Sequence, residues 1–313
     1  MNLALTGYSG FLGKTIYKSL DENCTLLLGR NKPEAQSDFK FFDLRNSEDV
    51  NLVSSLTAVD VVIHTAARVH IMNDYSADPL AEFKAVNTLG TLNLAKQAAQ
   101  AGVKRFIFVS SIKVNGETTT NRPSFSSSDM PSPEDPYGIS KAEAEQQLLE
   151  LGEKTGMEIV IIRPPLVYGE GVKANFASLM RLVGKGLPLP FRLIKNNKRS
   201  LVSVYNLVDL IKVCIDHPNA ANQVFLASDD HDLSTAEMVA LMAKVKNKPN
   251  LALPVPLWCF KLAGKLLGKQ EIIDRLTGSL QLDISHTKNT LNWSPPYSVE
   301  HGFKLAAKNC SKK

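Results

Sequence analysis

Tyr137 and Lys141 stand four residues apart in Tyr137-Gly138-Ile139-Ser140-Lys141, and a helix there would put both side chains on one face. A tyrosine with an unperturbed pKa of about 10 can act as an acid or base near neutrality only if its phenolate is stabilised. A lysine on the same face and the positive end of a helix both supply that potential. Asp135 is placed to cap such a helix and Pro136 to occupy its first position. By itself a tyrosine-lysine pair at this spacing also arises by chance. Ser110-Ser111 closes the apolar run Phe108-Val109, and Ser111 lies 26 residues before Tyr137, where its hydroxyl could orient a substrate oxygen.

A second constellation sits at the amino terminus, in Thr6-Gly7-Tyr8-Ser9-Gly10-Phe11-Leu12-Gly13. Small residues between a strand and a helix allow a tight turn, close approach to a pyrophosphate, and intimate packing, with the phosphate on the helix's positive end. Gly13-Lys14-Thr15 imitates the end of a nucleoside-triphosphate loop, but Tyr8 occupies the position where that loop needs glycine. At the end of the second strand, where a carboxylate would bind the ribose hydroxyls of NAD, the chain reads Leu28-Gly29-Arg30-Asn31. Arg30 is read either as a partner for the 2′-phosphate of NADP or as a solvated surface residue, so NADP(H) is favoured and NAD(H) is possible. Asp43 and Leu44 could flank the adenine, and Ala66 and Ala67 could let a cofactor pass. Plain packing would account for either pair equally well.

The elements that must position these residues follow from the apolar pattern. Short continuous apolar runs at Leu3–Leu5, Thr25–Leu28, Val59–Ile63, Phe106–Val109 and Ile159–Ile162 alternate with helix-compatible stretches such as Asp78–Ala101 and Tyr137–Lys154. Strands without polar alternation are covered on both faces, which predicts an α/β fold with a doubly wound parallel Rossmann sheet and ligands at the carboxyl ends of its strands. Beyond about residue 166 the rhythm loosens and prolines gather. We therefore expect a cofactor domain over residues 1–165, to which the chain returns near 200–215, and a smaller substrate domain over 166–313. The segment from Gly116 to Pro136 reads as a loop near the site, or as an ordinary solvated loop.

Composition excludes other classes. The formal charge of +5 from 36 basic and 31 acidic residues is too mild for a nucleic-acid footprint. The longest apolar stretch, Leu251 to Leu267, is broken by prolines and lysines, so no membrane span is expected. With no leader pattern before the first strand, a cytoplasmic protein is expected. Cys24, Cys214, Cys259 and Cys310 form no close pair, and the six histidines show no metal-ligand spacing, so no disulfide framework or metal is expected.

Together these motifs resemble the extended short-chain dehydrogenase/reductase superfamily, in particular the NAD-dependent epimerase/dehydratase family acting on nucleotide sugars. The resemblance runs through Thr6–Gly13, His64–Ala67, Asn87 in Val86-Asn87-Thr88, Ser110-Ser111, Tyr137–Lys141 and Arg163-Pro164-Pro165-Leu166-Val167-Tyr168-Gly169. It implies Ser111, Tyr137 and Lys141 as the catalytic triad, with Lys141 also holding the nicotinamide ribose. It further implies cofactor contacts from Gly7, Gly10, Phe11, Leu12 and Gly13, and from Asn87 and Pro164. Asn175 and Arg199 would hold the sugar-nucleotide diphosphate, a task suited to a planar guanidinium. Arg275 is read either as a further diphosphate contact or as a surface-helix residue. A homodimer through the two long helices is also implied as possible.

Three activities share this frame. Dehydratases of the family carry Thr-Asp-Glu where this chain has Ser111-Ile112-Lys113, which disfavours dehydration. A reductase consumes a hydride each turnover and commonly draws on NADPH, so Arg30 tilts the expectation toward C4 reduction of a UDP-4-keto-6-deoxyhexosamine for surface-polysaccharide synthesis. A UDP-sugar 4-epimerase with bound NAD is the alternative. A non-catalytic NADP-binding sensor is a third reading, disfavoured by the intact tyrosine and lysine.

Overall fold

The strands are short apolar runs that become fully buried: all four residues of β1 (Leu3–Thr6) and β4 (Val61–His64) and all five of β5 (Arg105–Val109) are shielded from solvent. The computed structural model describes residues 1–20, 25–33, 38–69, 78–172 and 174–309. With β2 (Thr25–Gly29), β3 (Phe39–Phe41), β6 (Glu158–Arg163) and β9 (Gln223–Leu226), these strands form one parallel sheet in the order β3-β2-β1-β4-β5-β6-β9. The order reverses between β1 and β4, the crevice where such sheets bind ligands. A small parallel pair, β7 (Leu166–Tyr168) with β8 (Leu201–Ser203), stands apart.

In chain order the helices are α1 (Phe11–Ser19), α2 (Val53–Leu56), α3 (Pro79–Phe83), α4 (Thr91–Gln100), α5 (Pro136–Thr155), α6 (Ala174–Gly184), α7 (Val204–Asp216), α8 (Thr235–Val245), α9 (Leu257–Leu266), α10 (Gln270–Thr277), α11 (Ser285–Leu291) and α12 (Val299–Asn309). One sheet face is covered through Ile16 of α1 and Leu207, Leu210 and Ile211 of α7. The other is covered through Leu94 and Ala98 of α4 and Ala144 and Leu148 of α5. A third core, with Tyr168, Phe176, Met180, Met242 and Phe303, holds α6, α8 and α12 together. The single long helix expected over Asp78–Ala101 is interrupted: a π-helical turn at Lys84–Gly90 joins α3 to α4. Cys24 and Cys310 lie outside the described residues, Cys214 is buried and Cys259 half-buried.

Candidate active site

Three chain segments meet at the carboxyl end of β5. Ser111 follows the strand and opens a 3₁₀ turn (Ile112–Val114), accepting the Lys113 backbone N–H at 3.2 Å. Asp135 caps α5 by accepting the Gly138 N–H at 2.6 Å, with Pro136 in the first turn. A Cβ on Gly138 would lie 2.8 Å from the Lys113 carbonyl, so only glycine lets α5 start directly against the turn after Ser111. Lys141, one helical turn past Tyr137, is fully buried, donates to the Val109 carbonyl at 2.9 Å and lies 4.2 Å from the Phe108 ring centroid. The lysine is thereby tied to the strand end that presents Ser111.

The electrostatics of this junction oppose one another. Burial, and then the nearby Asp135 carboxylate, push the Tyr137 hydroxyl up to about 12, while its hydrogen bond with Ser111 pulls it down. Burial lowers Lys141 to about 7, with Glu145 acting in the opposite direction. A tyrosine in this setting is a proton donor by default, and it becomes a base only when positive charge is brought close.

His64 holds the neighbouring strand end. Thr6 Oγ1 accepts the backbone N–H groups of Thr65 and Ala66, both at 3.2 Å, so its own proton goes to His64 Nδ1 at 2.7 Å. His64 Nε2 then carries the ring proton and donates to Thr91 at 2.9 Å. Burial, reinforced by Lys141, lowers His64 to about 3, so the ring is neutral and serves as a brace.

Between β1 and β4 lies a cleft of about 780 Å³. Its wall contains Gly7, Gly10, Phe11, Leu12, Gly13, Arg30, Asp43, Leu44, Ala66 and Ala67. The cleft fits a dinucleotide. Gly7 has φ of +74°, and a Cβ on Gly13 would fall 2.0 Å from the Gly7 carbonyl, which seats the α1 N-terminus tightly on the loop. The first turn of α1 has no side-chain cap and no acidic residue, which leaves its N–H groups for a phosphate. Sequence reasoning missed Tyr8, Arg45 and Arg68 on the same wall. Tyr8 bonds the Asn31 carbonyl and its ring fills the space beside Gly29, where a Cβ would lie 2.8 Å away. Arg45 pairs with Glu82 at 2.5 Å.

Asn87 and Pro164 are not on that wall. Asn87 is fully buried in the π turn, where its amide accepts from Arg68 N at 2.8 Å and donates to the Arg68 carbonyl and Ser140 Oγ, both at 3.0 Å. It joins the cleft wall to α5. The Pro164 carbonyl accepts the Ile112 N–H at 3.0 Å, which fixes the turn after Ser111. Toward the carboxyl-terminal part of the chain, Arg199 donates to the Arg275 carbonyl at 2.9 Å, and its guanidinium feels the like charge of Arg275 and the opposite charge of Glu117. Arg199 and Arg275 are therefore neighbours. Asn175 is exposed in the first turn of α6, and Lys173 before it lies outside the described residues. No cluster of metal-ligating side chains occurs among the described residues, and none of their helices is long and apolar enough to cross a membrane.

This fold and junction define a nicotinamide-dependent enzyme of the extended short-chain dehydrogenase/reductase class. The family model described as "NAD dependent epimerase/dehydratase family" matches residues 3–227, and the chain belongs to that family. It is 56% identical over 311 residues to a UDP-glucose 4-epimerase of Vibrio cholerae, covering 98% of this chain and 94% of that one. It is 28% identical to an N-acetyl-alpha-D-glucosaminyl-diphospho-ditrans,octacis-undecaprenol 4-epimerase of Escherichia coli O157:H7, covering 96% and 93%. Among solved structures, UDP-glucose 4-epimerase of Thermotoga maritima with UDP-glucose superposes with a TM-score of 0.78 at 22% identity, covering 100% and 99%. RMD of Pseudomonas aeruginosa with NADPH gives 0.74 at 21% identity, covering 100% of both chains. The chain is an NAD(P)-dependent enzyme of nucleotide-sugar metabolism.

Proposed function

We propose that this enzyme is a UDP-sugar 4-epimerase. The reading rests on the 56% identity to the Vibrio cholerae epimerase across nearly the whole of both chains, and it displaces the C4 reduction that Arg30 suggested. The cofactor supplies a reversible hydride acceptor at C4. Tyr137 takes the proton from the sugar's 4-hydroxyl and later returns it, and the Ser111 hydroxyl holds the same oxygen through the 4-keto stage. Lys141 offsets the charge on the phenolate. Arg199 and Arg275 grip the diphosphate, so the sugar can present either face at C4 while the nucleotide stays anchored. Lys113 stands where an acid for dehydration would be, and no carboxylate follows Ser111 until Glu117. Arg30, exposed on the cleft wall, supports acceptance of NADP as well as NAD.

The test is incubation with UDP-glucose or UDP-N-acetylglucosamine and no added reductant, followed by NMR of the sugar. Formation of the C4 epimer without net nicotinamide oxidation supports the reading. Stoichiometric NADPH loss with a 4-keto sugar and no epimer from either UDP-sugar restores the reductase.

A further inference from the structure

The stretch Leu251–Leu267 is neither a span nor part of the site, and the fold leaves much of it in solvent. On α9, Phe260 and Gly264 face inward: Phe260 stacks on Phe191 at 6.1 Å, and Gly264 is packed against Ile273 of α10. The opposite face carries Trp258, Leu262 and Leu266, which are 65%, 50% and 76% exposed, and Leu267 follows at 69%. At 100° per residue Leu262 lies directly away from the packed face, and Lys261 and Lys265 run beside the Trp258–Leu262–Leu266 row. From Met238 to Gln270 the sequence contains six lysines and no aspartate or glutamate. The next carboxylate, Glu271, is on α10 and faces Arg275 at 3.9 Å.

We propose that α9 is a docking helix for an anionic lipid surface, which it meets with Trp258, Leu262 and Leu266 in the acyl boundary and Lys261, Lys265 and Lys269 at the headgroups. A row of large apolar side chains in water is costly unless something covers it, and a tryptophan between leucines and lysines matches the interface of a bilayer. The lysine stems can lie along the apolar layer while their ammonium groups reach phosphate. A second copy is a poorer occupant, because a two-fold contact through this face would set its lysine row against the same row. Since α10 packs on α9 and carries Arg275, docking would bring the substrate half to the lipid surface.

The chain's two tryptophans make the test direct, because Trp293 is buried and hydrogen-bonded to Asp209 while Trp258 is in solvent. Mixed phosphatidylglycerol and phosphatidylcholine vesicles should sediment the full-length protein and shift its emission to the blue. Pure phosphatidylcholine should do neither, and high salt should weaken binding. Lys261→Glu with Lys265→Glu should lower vesicle partition about tenfold or more while leaving turnover of UDP-sugars in solution unchanged. Leu262→Glu should act likewise. Unaltered Trp emission with anionic vesicles overturns the proposal without recourse to any variant. So does self-association that Leu262→Glu abolishes while no vesicle binding is seen, which would identify a second copy as the occupant.

Discussion

The ammonium of Lys113 bonds the carboxylate of Asp135, the residue that caps the helix bearing Tyr137. Lys113 also donates to Glu117 at 2.7 Å, so one lysine ties the turn after Ser111 to the start of α5 and to the loop beyond. The same junction holds Ser111, Lys141 and the Phe83 ring, which stands edge-on to Tyr137 at 6.0 Å. Asp135 raises the Tyr137 pKa, so neutralising it lowers that pKa, whereas removing Lys113 leaves the carboxylate unopposed and raises it further. The rate falls where Tyr137 is protonated. The acid limb of the pH profile should therefore move down by about one unit in Asp135→Asn, which keeps the cap, and up in Lys113→Met. Shifts of the same sign in both variants would mean that the pair acts only on structure.

Tyr137→Phe should fold as the parent does and lose turnover by about a hundredfold or more, the scale of a general acid/base. Ser111→Ala should slow the chemical step with little change in UDP affinity. Lys141→Met removes the ammonium one helical turn past Tyr137 together with its bond to Val109, so both turnover and cofactor affinity should fall. Parallel thermal melts separate loss of chemistry from loss of fold.

The arginine pair gives a binding prediction. Arg199 is half-buried and beside a like charge, an arrangement that an anion between the two would relieve. Arg199→Ala should weaken UDP binding about tenfold or more in calorimetry and leave NAD affinity unchanged. Arg199→Lys should recover only part of it, because an ammonium cannot span two phosphate oxygens.

How much of this was legible depended on sequence distance. The glycine turn between β1 and α1, the Asp135 cap and the spacing of Tyr137 and Lys141 on α5 are local, and period and capping chemistry expose them directly. The adjacency of Arg199 and Arg275 is not local. It follows from backbone pairing of Arg199 with Leu233 and Leu280, which no pattern in either segment announces. Asn87 was visible as a motif, but its task was not. The π turn that aims its amide at Arg68 and Ser140 is set by packing, with Gly90 pressed so closely on the Leu44 carbonyl that a Cβ would lie 2.4 Å from it. The outward face of α9 was hidden for a different reason. In the sequence Leu251–Leu267 is only an apolar stretch too broken to span a membrane, and its solvent side follows from where the fold puts Phe260 and Gly264.

Arg30 gives a cofactor prediction. It is exposed on the cleft wall just past β2, which ends Leu28-Gly29 without a carboxylate of its own. Arg30→Ala should reduce NADP affinity several-fold and leave NAD affinity nearly unchanged, because only NADP carries the 2′-phosphate. Fluorescence titrations of both cofactors decide the matter. Equal losses for both would show that Arg30 contacts some other part of the nucleotide.

Glu145 and Arg163 give a stability prediction that also reaches the site. Arg163, at the end of β6, donates to Glu145 of α5 from Nε at 3.0 Å and from Nη2 at 2.5 Å, and its Nη1 bonds Asn115 at 2.9 Å. Both side chains are nearly fully buried. Removing one partner strands a buried charge, so Glu145→Ala should cost about 3–5 kcal/mol in denaturant unfolding, and Arg163→Ala a similar amount. Replacing both, as in Glu145→Leu with Arg163→Met, should recover much of that loss, since a well-packed apolar pair avoids the desolvation of two ions. Activity should not recover in step. Glu145 supports the charged form of Lys141, which burial has brought down to about 7, so the double variant's lysine should lose its proton at lower pH. Because a neutral Lys141 cannot offset a phenolate, the alkaline limb of the pH profile should move to lower pH in the double variant while its unfolding midpoint approaches the parent's. A double variant that regained stability with an unmoved alkaline limb would confine the pair to a structural role.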